Sequence, residues 1–237
     1  MRNLISLTIL LILAVTFIYP ARAIILLSDN FEREELGSDW TIIRNTWTIE
    51  TGELNAEGVD GLLSSGQYFT NASIEVKVKI IDDGGNPTEW MGFIARAANP
   101  NDDCWTSGYL VYLRNNGSIE LYTYVDNVIA AEQTDATPDD FVTISAYFNG
   151  SNIQVFVNGV LYIDVEDNRY SAGYFSLKNQ VAHGHFDDVL VENPPVIPNF
   201  NVVPEPAPII ISLLILAAFA SYGLIKHKKQ SIRSPLT

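Results

Sequence analysis

The sequence is poor in the residues on which several common kinds of site depend. Its 237 residues contain one cysteine, three histidines and half as many basic as acidic residues, 14 against 28. The single cysteine, Cys104, excludes an intramolecular disulfide and a cysteine-cluster zinc site, so the fold depends on its apolar core. The scarcity of lysine and arginine argues against a nucleic-acid partner, because phosphate binding needs clustered cations.

Recognisable catalytic motifs are also missing. There is no Glu-x-Asp-x-x-Glu pattern, with which laminarinase-type glucanases bring two carboxylates together, and no Gly-x-Ser-x-Gly turn for a nucleophilic serine. His183 and His185 share one face of a predicted strand, but a metal would need a third ligand from elsewhere. Cys104 follows Asp102 and Asp103, whose charge disfavours a reactive thiolate. We therefore predict a protein that is not an enzyme.

The N-terminus has the three parts of a secretory signal peptide. Arg2 precedes an apolar run at 4–19, which leads to the small-residue exit Ala21-Arg22-Ala23. The run is short for a membrane span, and the exit favours cleavage after Ala23 over an uncleaved anchor. Residues 1–23 are therefore predicted to direct export.

The C-terminus has the pattern of one transmembrane helix. Residues 207–225 are nearly uncharged, and at about 1.5 Å per helical residue this run is long enough to cross a bilayer core. Lys226, Lys228 and Lys229 follow at once, which places the basic tail, 226–237, in the cytoplasm. The segment between the signal peptide and this helix is then outside the membrane.

The tetrapeptide Val203-Pro204-Glu205-Pro206 precedes this helix at the end of a proline-rich stretch, 194–206. A short motif, a single span and a basic tail in this order resemble the PEP-CTERM sorting signal of exported bacterial proteins. The resemblance implies an exosortase-type sorting enzyme as a partner. It also implies temporary anchoring in the inner membrane of a Gram-negative-type bacterium, followed by release to the cell surface or extracellular matrix. The alternative is a plain C-terminal anchor behind a stiff linker.

The segment between the two ends, 24–193, is acidic, and its sequence pattern predicts a series of β-strands. From 24 to 203 there are 27 acidic and 8 basic residues, a net charge of −19, which attracts cations such as calcium. Apolar and polar residues alternate at 74–80, 119–125 and 153–157, and three Asn-Gly pairs between such runs favour tight hairpin turns.

The same patterns predict thirteen short strands and no helix in this segment. The predicted strands are 47–50, 53–56, 62–65, 72–80, 90–97, 109–114, 118–125, 128–133, 141–148, 152–157, 160–165, 173–177 and 183–191. A single twisted sheet of this size would leave an apolar face in water. The predicted fold is therefore an all-β, antiparallel jelly-roll sandwich of two sheets.

Seven short motifs follow one another along this segment. They are Asp29-Asn30-Phe31, 36–40, 47–54, 92–96, 109–112, 155–159 and 186–189. Their order resembles that of LamG-like domains in the concanavalin A-like lectin/glucanase superfamily, which implies the same jelly-roll sandwich. The resemblance also implies a structural calcium ion near the terminal strands, held by Asp29 and Asp187, with Asp188 as the alternative to Asp187.

Carbohydrate binding needs exposed aromatic rings beside polar groups. Trp40 and Trp47 match packing positions of the resembled family and are expected in the core. Trp90 and Trp105 lie next to loop residues and are the best candidates for exposed sugar-binding rings. We therefore predict an exported, non-catalytic protein that binds carbohydrate or forms part of the extracellular polysaccharide matrix. The alternatives are a divergent glycoside hydrolase acting on exopolysaccharide and a protein-binding adhesin.

Overall fold

A computed structural model describes residues 23–81, 88–180 and 183–193 of the chain. Every regular element within these ranges is a β-strand, and all strand pairs are antiparallel. The strands are β1 (Ile24–Asp29), β2 (Thr41–Glu50), β3 (Glu53–Phe69), β4 (Ala72–Ile81), β5 (Trp90–Ala97), β6 (Tyr109–Arg114), β7 (Ser118–Thr123), β8 (Asn127–Gln133), β9 (Val142–Asn149), β10 (Asn152–Val157), β11 (Val160–Glu166), β12 (Gly173–Gln180) and β13 (His183–Asn193). The all-β prediction is confirmed.

The strands follow the order β11-β10-β9-β4-β13-β3-β12-β5-β6-β7-β8, with β1 added to β13 and β2 added to β3. One half of this order is β11-β10-β9-β4-β13, and the other half is β12-β5-β6-β7-β8. Strand β3 joins the two halves, because its residues 54–56 pair with β13 and its residues 61–69 pair with β12. Gly58 and Asp60 lie between these parts, with φ angles of 84° and 68°, so the strand bends there. The two halves pack face to face as a sandwich, with one apolar core between them.

Several parts of the observed strand map differ from the prediction: β2 begins at Thr41, ahead of its predicted start at 47, and β12 continues to Gln180, beyond its predicted end at 177. Strand β1 was not predicted, because its apolar residues directly continue the signal-peptide-like segment. The predicted strands 53–56 and 62–65 are one strand, β3, because the glycines between them bend the chain without ending its pairing. The expected core positions Trp40 and Trp47 are both buried.

The predicted signal peptide, the Val203-Pro204-Glu205-Pro206 motif, the span at 207–225 and the basic tail all lie outside the described residues. Within the described ranges, no helix has the length and apolar character needed to span a membrane.

Candidate functional site

One side of the sandwich has a second buried layer outside the core. We call this side, formed by the far surface of strands β3, β12, β5, β6 and β7, the outer face. Its buried apolar residues are Leu62, Trp90, Ile94, Ala97, Cys104, Leu110 and Tyr112. The outer side of an antiparallel sheet is often solvated and polar. Here the nearly continuous apolar sequences of β5 and β6 reflect burial on both sides.

Strand register places charged and aromatic residues side by side across the outer face. Leu62 of β3, Lys178 of β12 and Gly92 of β5 are direct partners in the sheet. The same row continues to Tyr112 of β6 and Glu120 of β7. Alternation along β12 turns Phe175 and Leu177 into the core, so Lys178 between Leu177 and Asn179 faces outward.

Lys178 is the centre of a charged cluster on the outer face. Its side chain is 0% exposed, and its Nζ contacts a carboxylate oxygen of Asp60 and lies 3.2 Å from Oδ2 of Asp103. Arg44 of β2 bridges the same two carboxylates, with its Nη1 2.6 Å from Oδ2 of Asp60. Burial lowers the pKa of Lys178, while the hydrogen bond to Asp60 opposes this change. Two carboxylates are thus held together by two cations.

The connection between β5 and β6 covers this cluster. The Ser107 hydroxyl accepts a hydrogen bond from the backbone N–H of Ala98 and donates one to Asp102, which ties the two ends of the loop together. Cys104 is a buried residue of the same loop, and its thiol donates to Oδ1 of Asp103. Burial raises the pKa of Cys104 to about 12, which agrees with the expected lack of a reactive thiolate.

A third carboxylate of the outer face, Glu120, lies at the other end of the row. It accepts hydrogen bonds from the Tyr112 hydroxyl and from Nε of Arg114. Burial, followed by the contact with Glu120, raises the pKa of Tyr112 far above its usual range, so this phenol stays protonated. Arg114 also donates to the backbone carbonyl of Thr88, 3.1 Å away. The Glu120 carboxylate therefore accepts hydrogen bonds from a phenol and from a guanidinium.

The two tryptophans predicted to be exposed differ in their surroundings. Trp105 is 41% exposed and makes an edge contact with Tyr122, with ring centroids 5.5 Å apart. Trp90 is only 5% exposed, so the expectation of an exposed Trp90 was wrong. Its ring packs against Tyr112 at 4.7 Å and is buried in the apolar cluster of the outer layer.

The carboxylate of Asp29, predicted as a calcium ligand, is already occupied by other groups. Arg33 donates to both of its oxygens, at 2.5 and 2.7 Å, and the Trp40 indole donates to Oδ2 at 2.6 Å. Burial raises the pKa of Asp29, but these hydrogen bonds and that from Phe31 outweigh it and leave the pKa lowered. A guanidinium therefore stands where a cation would bind, and Asp29 does not fit a calcium ion in this arrangement.

The other predicted calcium ligands lie on β13. Asp187 accepts a hydrogen bond from the backbone of Asp188, and Asp188 pairs with Lys77, 2.5 Å away. The β1 partner of Val189 is Asp29, so these three aspartates belong to adjoining strands. Among the described residues, no group of three or more His, Cys, Asp or Glu side chains has the arrangement of a metal site. Calcium binding itself stays a prediction.

His185 of β13 lies beside a carboxylate of the neighbouring strand β3. Its Nδ1 lies 3.1 Å from the carboxylate of Glu53. Burial lowers the pKa of His185, and the opposing effect of Glu53 is smaller. The neutral imidazole is therefore favoured at neutral pH.

The charged cluster of the outer face was not found from the sequence. Arg44, Asp60, Asp103 and Lys178 come from four distant segments, so no local spacing connects them. The available signal was Lys178 itself, one of only 8 basic residues between 24 and 203, placed directly after the apolar and aromatic residues of its strand, Tyr174, Phe175 and Leu177.

The antiparallel jelly-roll sandwich of this chain is a fold that is also seen in a solved carbohydrate-binding module and in solved glucanases. The model of the 3-keto-alpha-glucoside-1,2-lyase-like domain matches residues 29–192, and the chain belongs to this family. The LamG-like resemblance holds at the level of the shared sandwich fold. Comparison with curated proteins gives no match.

Several solved structures share the fold at low sequence identity. The carbohydrate-binding module CBM66 from Bacillus subtilis is 20% identical, with a TM-score of 0.58 over 67% of this chain and 98% of the module. The catalytic domain of a laminarinase from Thermotoga petrophila is 11% identical, with a TM-score of 0.55 over 73% of this chain and 98% of the enzyme domain. An endo-β-galactosidase from Clostridium perfringens is 11% identical, with a TM-score of 0.57 over 75% of this chain and 64% of that chain. These likenesses show the fold and do not assign an activity.

Proposed function

We propose that this domain binds carbohydrate on its outer face without cleaving it, with Trp105 as the main sugar-stacking ring. The observation that carries the proposal is an exposed indole supported by Tyr122, only two residues from Asp103 of the charged cluster. An aromatic face binds the apolar side of a sugar ring, and neighbouring charged groups bind its hydroxyls. Arg44 and Asp60, both partly exposed, supply such groups.

The fold supports this proposal, since the similar structures include a carbohydrate-binding module. The charge of the domain supports it as well. Arg44 and Lys178 are matched by Asp60 and Asp103, and Arg114 is matched by Glu120, so the outer face has no excess of cations for an anionic ligand. We therefore propose neutral polysaccharide as the ligand.

Export and sorting are part of the same proposal. The signal-peptide-like N-terminus and the Val203-Pro204-Glu205-Pro206 motif before an apolar run support delivery to the cell surface or matrix through an exosortase-type enzyme. At that location a carbohydrate-binding sandwich would hold the protein to extracellular polysaccharide.

Polysaccharide binding by the full-length protein tests the proposal, with the protein kept in a detergent that lacks a sugar headgroup. We expect the wild-type protein to bind at least one neutral polysaccharide. Trp105→Ala should lower the affinity roughly tenfold or more, because it removes an aromatic contact that the bound sugar would bury. Leu161→Ala is the matched control, because it removes an exposed side chain from β11, in the half of the sandwich that does not carry the outer face. Equal binding by the wild type and Trp105→Ala would contradict the assignment.

A second candidate function is the lyase chemistry named in the family description. It is favoured by one observation, the convergence of Asp60 and Asp103 on one ammonium and one guanidinium. In a 3-keto-α-glucoside the ketone acidifies the proton at C2. A carboxylate that takes this proton allows the C1–O bond to break, and the leaving oxygen is then protonated.

Under this alternative, Asp60 takes the proton, because it is the more exposed of the two carboxylates, and Arg44 stabilises the developing enolate oxygen. Incubation of the protein with a 3-keto-α-glucoside, followed by NMR of the products, tests this alternative. An unsaturated keto sugar that forms with the wild type and not with Asp60→Asn would replace simple binding as the function.

A further inference from the structure

Besides Trp105 and Tyr122, the outer face has a second aromatic pair with an exposed ring, which the proposed function does not yet use. Tyr68 of β3 and Tyr174 of β12 are direct partners in the sheet, and their rings make an edge contact with centroids 5.1 Å apart. Tyr68 is 55% exposed, the largest exposed fraction of any aromatic residue in its sheet apart from Tyr124 beyond the end of β7. This pair therefore repeats the arrangement of Trp105 on Tyr122.

Both pairs lie on the same side of the same sheet. Tyr174 and Tyr122 each pack against the buried apolar cluster of the outer layer. Strand pairing aligns Tyr122 of β7 with Leu110 of β6, and Leu110 with Ile94 of β5. Ile94 in turn pairs with Ser176 of β12, which is two residues from Tyr174. Alternation along β12 keeps Tyr174 and Ser176 on one face.

The two pairs are too far apart for one sugar ring. Tyr174 on β12 and Tyr122 on β7 are separated by β5 and β6, which at about 4.8 Å per strand spacing gives roughly 14 Å across the sheet. A single ring cannot contact both pairs, whereas a chain of several linked sugars can. The loop that carries Trp105 and the cluster around Lys178 lie on this same face.

We propose that Tyr68 and Tyr174 form a second sugar platform, and that the ligand is a neutral oligosaccharide chain laid across the outer face from this platform to Trp105. The inference rests on the proposed carbohydrate binding and adds the length of the ligand and its second contact. Two platforms held by one rigid sheet favour a long chain over a short one, because the second contact is made without a new loss of translational freedom.

Affinity measured against chain length tests the inference. The probes are ladders of neutral oligosaccharides built from glucose, galactose, mannose, fructose or xylose, from the monosaccharide to the hexasaccharide, titrated into the full-length protein by calorimetry. We expect wild-type affinity to rise until the chain spans both platforms and then to level off. Tyr68→Ala is expected to lower the affinity for long chains roughly tenfold, the size of one aromatic contact, and to leave short chains unchanged.

Variants separate the second platform from the first and from loss of folding. Trp105→Ala is expected to weaken chains of every length, Tyr68→Phe to keep binding, and Leu161→Ala to behave as the wild type, with the melting temperature of each variant measured alongside. If Tyr68→Ala binds long chains as tightly as the wild type, or weakens all lengths equally, the second platform is overturned while carbohydrate binding stands. If the wild type binds none of the ladders, the proposed function fails and this inference fails with it.

Discussion

The ammonium of Lys178 contacts the carboxylate of Asp60 in a layer where no part of the lysine side chain reaches solvent. An unpaired buried ammonium is strongly unfavourable, so the contact explains why the lysine is tolerated on this strand. Asp103 and Arg44 complete the cluster, and they connect the β5–β6 loop and strand β2 to β12. The charges of the outer face therefore also hold the loop that carries Trp105.

Removal of one charge from this cluster should destabilise the domain. Asp103→Asn leaves the Lys178 ammonium and the Arg44 guanidinium with the single carboxylate of Asp60, and we expect a loss of about 2 kcal/mol in the free energy of unfolding. Urea denaturation followed by tryptophan fluorescence measures the loss. Asp139→Asn, a change at an exposed aspartate, is the control, and equal stability of the two variants would contradict this account of the cluster.

A second buried cation, Arg96, ties together three connections at one end of the sandwich. Its side chain is fully buried, and its guanidinium donates to the carbonyl oxygens of Thr70, Gly150 and Tyr170 at 2.6 to 2.9 Å. These residues belong to the β3–β4, β9–β10 and β11–β12 connections. The guanidinium also lies over the ring of Phe148, 5.1 Å from its centroid.

Arg96→Lys is therefore not a conservative change. A lysine ammonium cannot reproduce a planar fork that reaches three carbonyls, so at least one buried carbonyl loses its partner. We expect about 3 kcal/mol of lost stability, measured by urea denaturation. Arg169→Lys, at a partly exposed arginine paired with Asp126 and Asp167, is the comparison and should cost less. If Arg96→Lys lowered the free energy of unfolding by less than Arg169→Lys does, the hydrogen bonds of Arg96 to the three carbonyls would not be important for stability.

The fold was largely predictable from the sequence because its signals are local. Alternation and Asn-Gly turns identify strands such as β4, β7 and β10 within a few residues of their observed ends. The bend within β3 was missed because Gly58 and Gly61 resemble a break in the chain, although pairing continues on both sides of them. Whether a glycine ends a strand or bends it depends on distant partners.

The candidate site was predictable only in part, for the same physical reason. The exposure of Trp105 follows from its place in a polar loop, and the expectation is confirmed. The burial of Trp90 depends on Tyr112, which packs against it from the neighbouring strand β6. Lys178 meets Asp60, 118 residues away in the sequence, so the charged cluster follows from the folded topology and from no local motif.

The stability of the domain should fall on acidification partly because of His185. Burial lowers its folded-state pKa below the ordinary value of 6.5, so the unfolded chain binds this proton more readily than the folded domain. The stabilising effect is fully present above pH 6.5 and is lost as the pH falls toward the folded-state pKa. Melting temperatures measured through this range should fall less for His185→Asn than for the wild type. His183→Asn, two residues away on β13, is the control, and identical slopes for all three proteins would contradict the role of His185.

Calcium should leave the thermal stability of the domain unchanged if Arg33 already neutralises Asp29. The guanidinium contacts both carboxylate oxygens, and an ion that binds only the folded state would have to displace it before raising the melting temperature. Melting of the full-length protein in EDTA and in millimolar calcium, with magnesium as the control cation, measures the effect. A rise specific to calcium that disappears in Asp187→Asn and persists in Asp139→Asn would instead support the ion that the LamG-like resemblance implies. Arg33 would then have to leave Asp29 in the calcium-bound state, because one carboxylate cannot hold a bidentate guanidinium and a calcium ion at the same two oxygens.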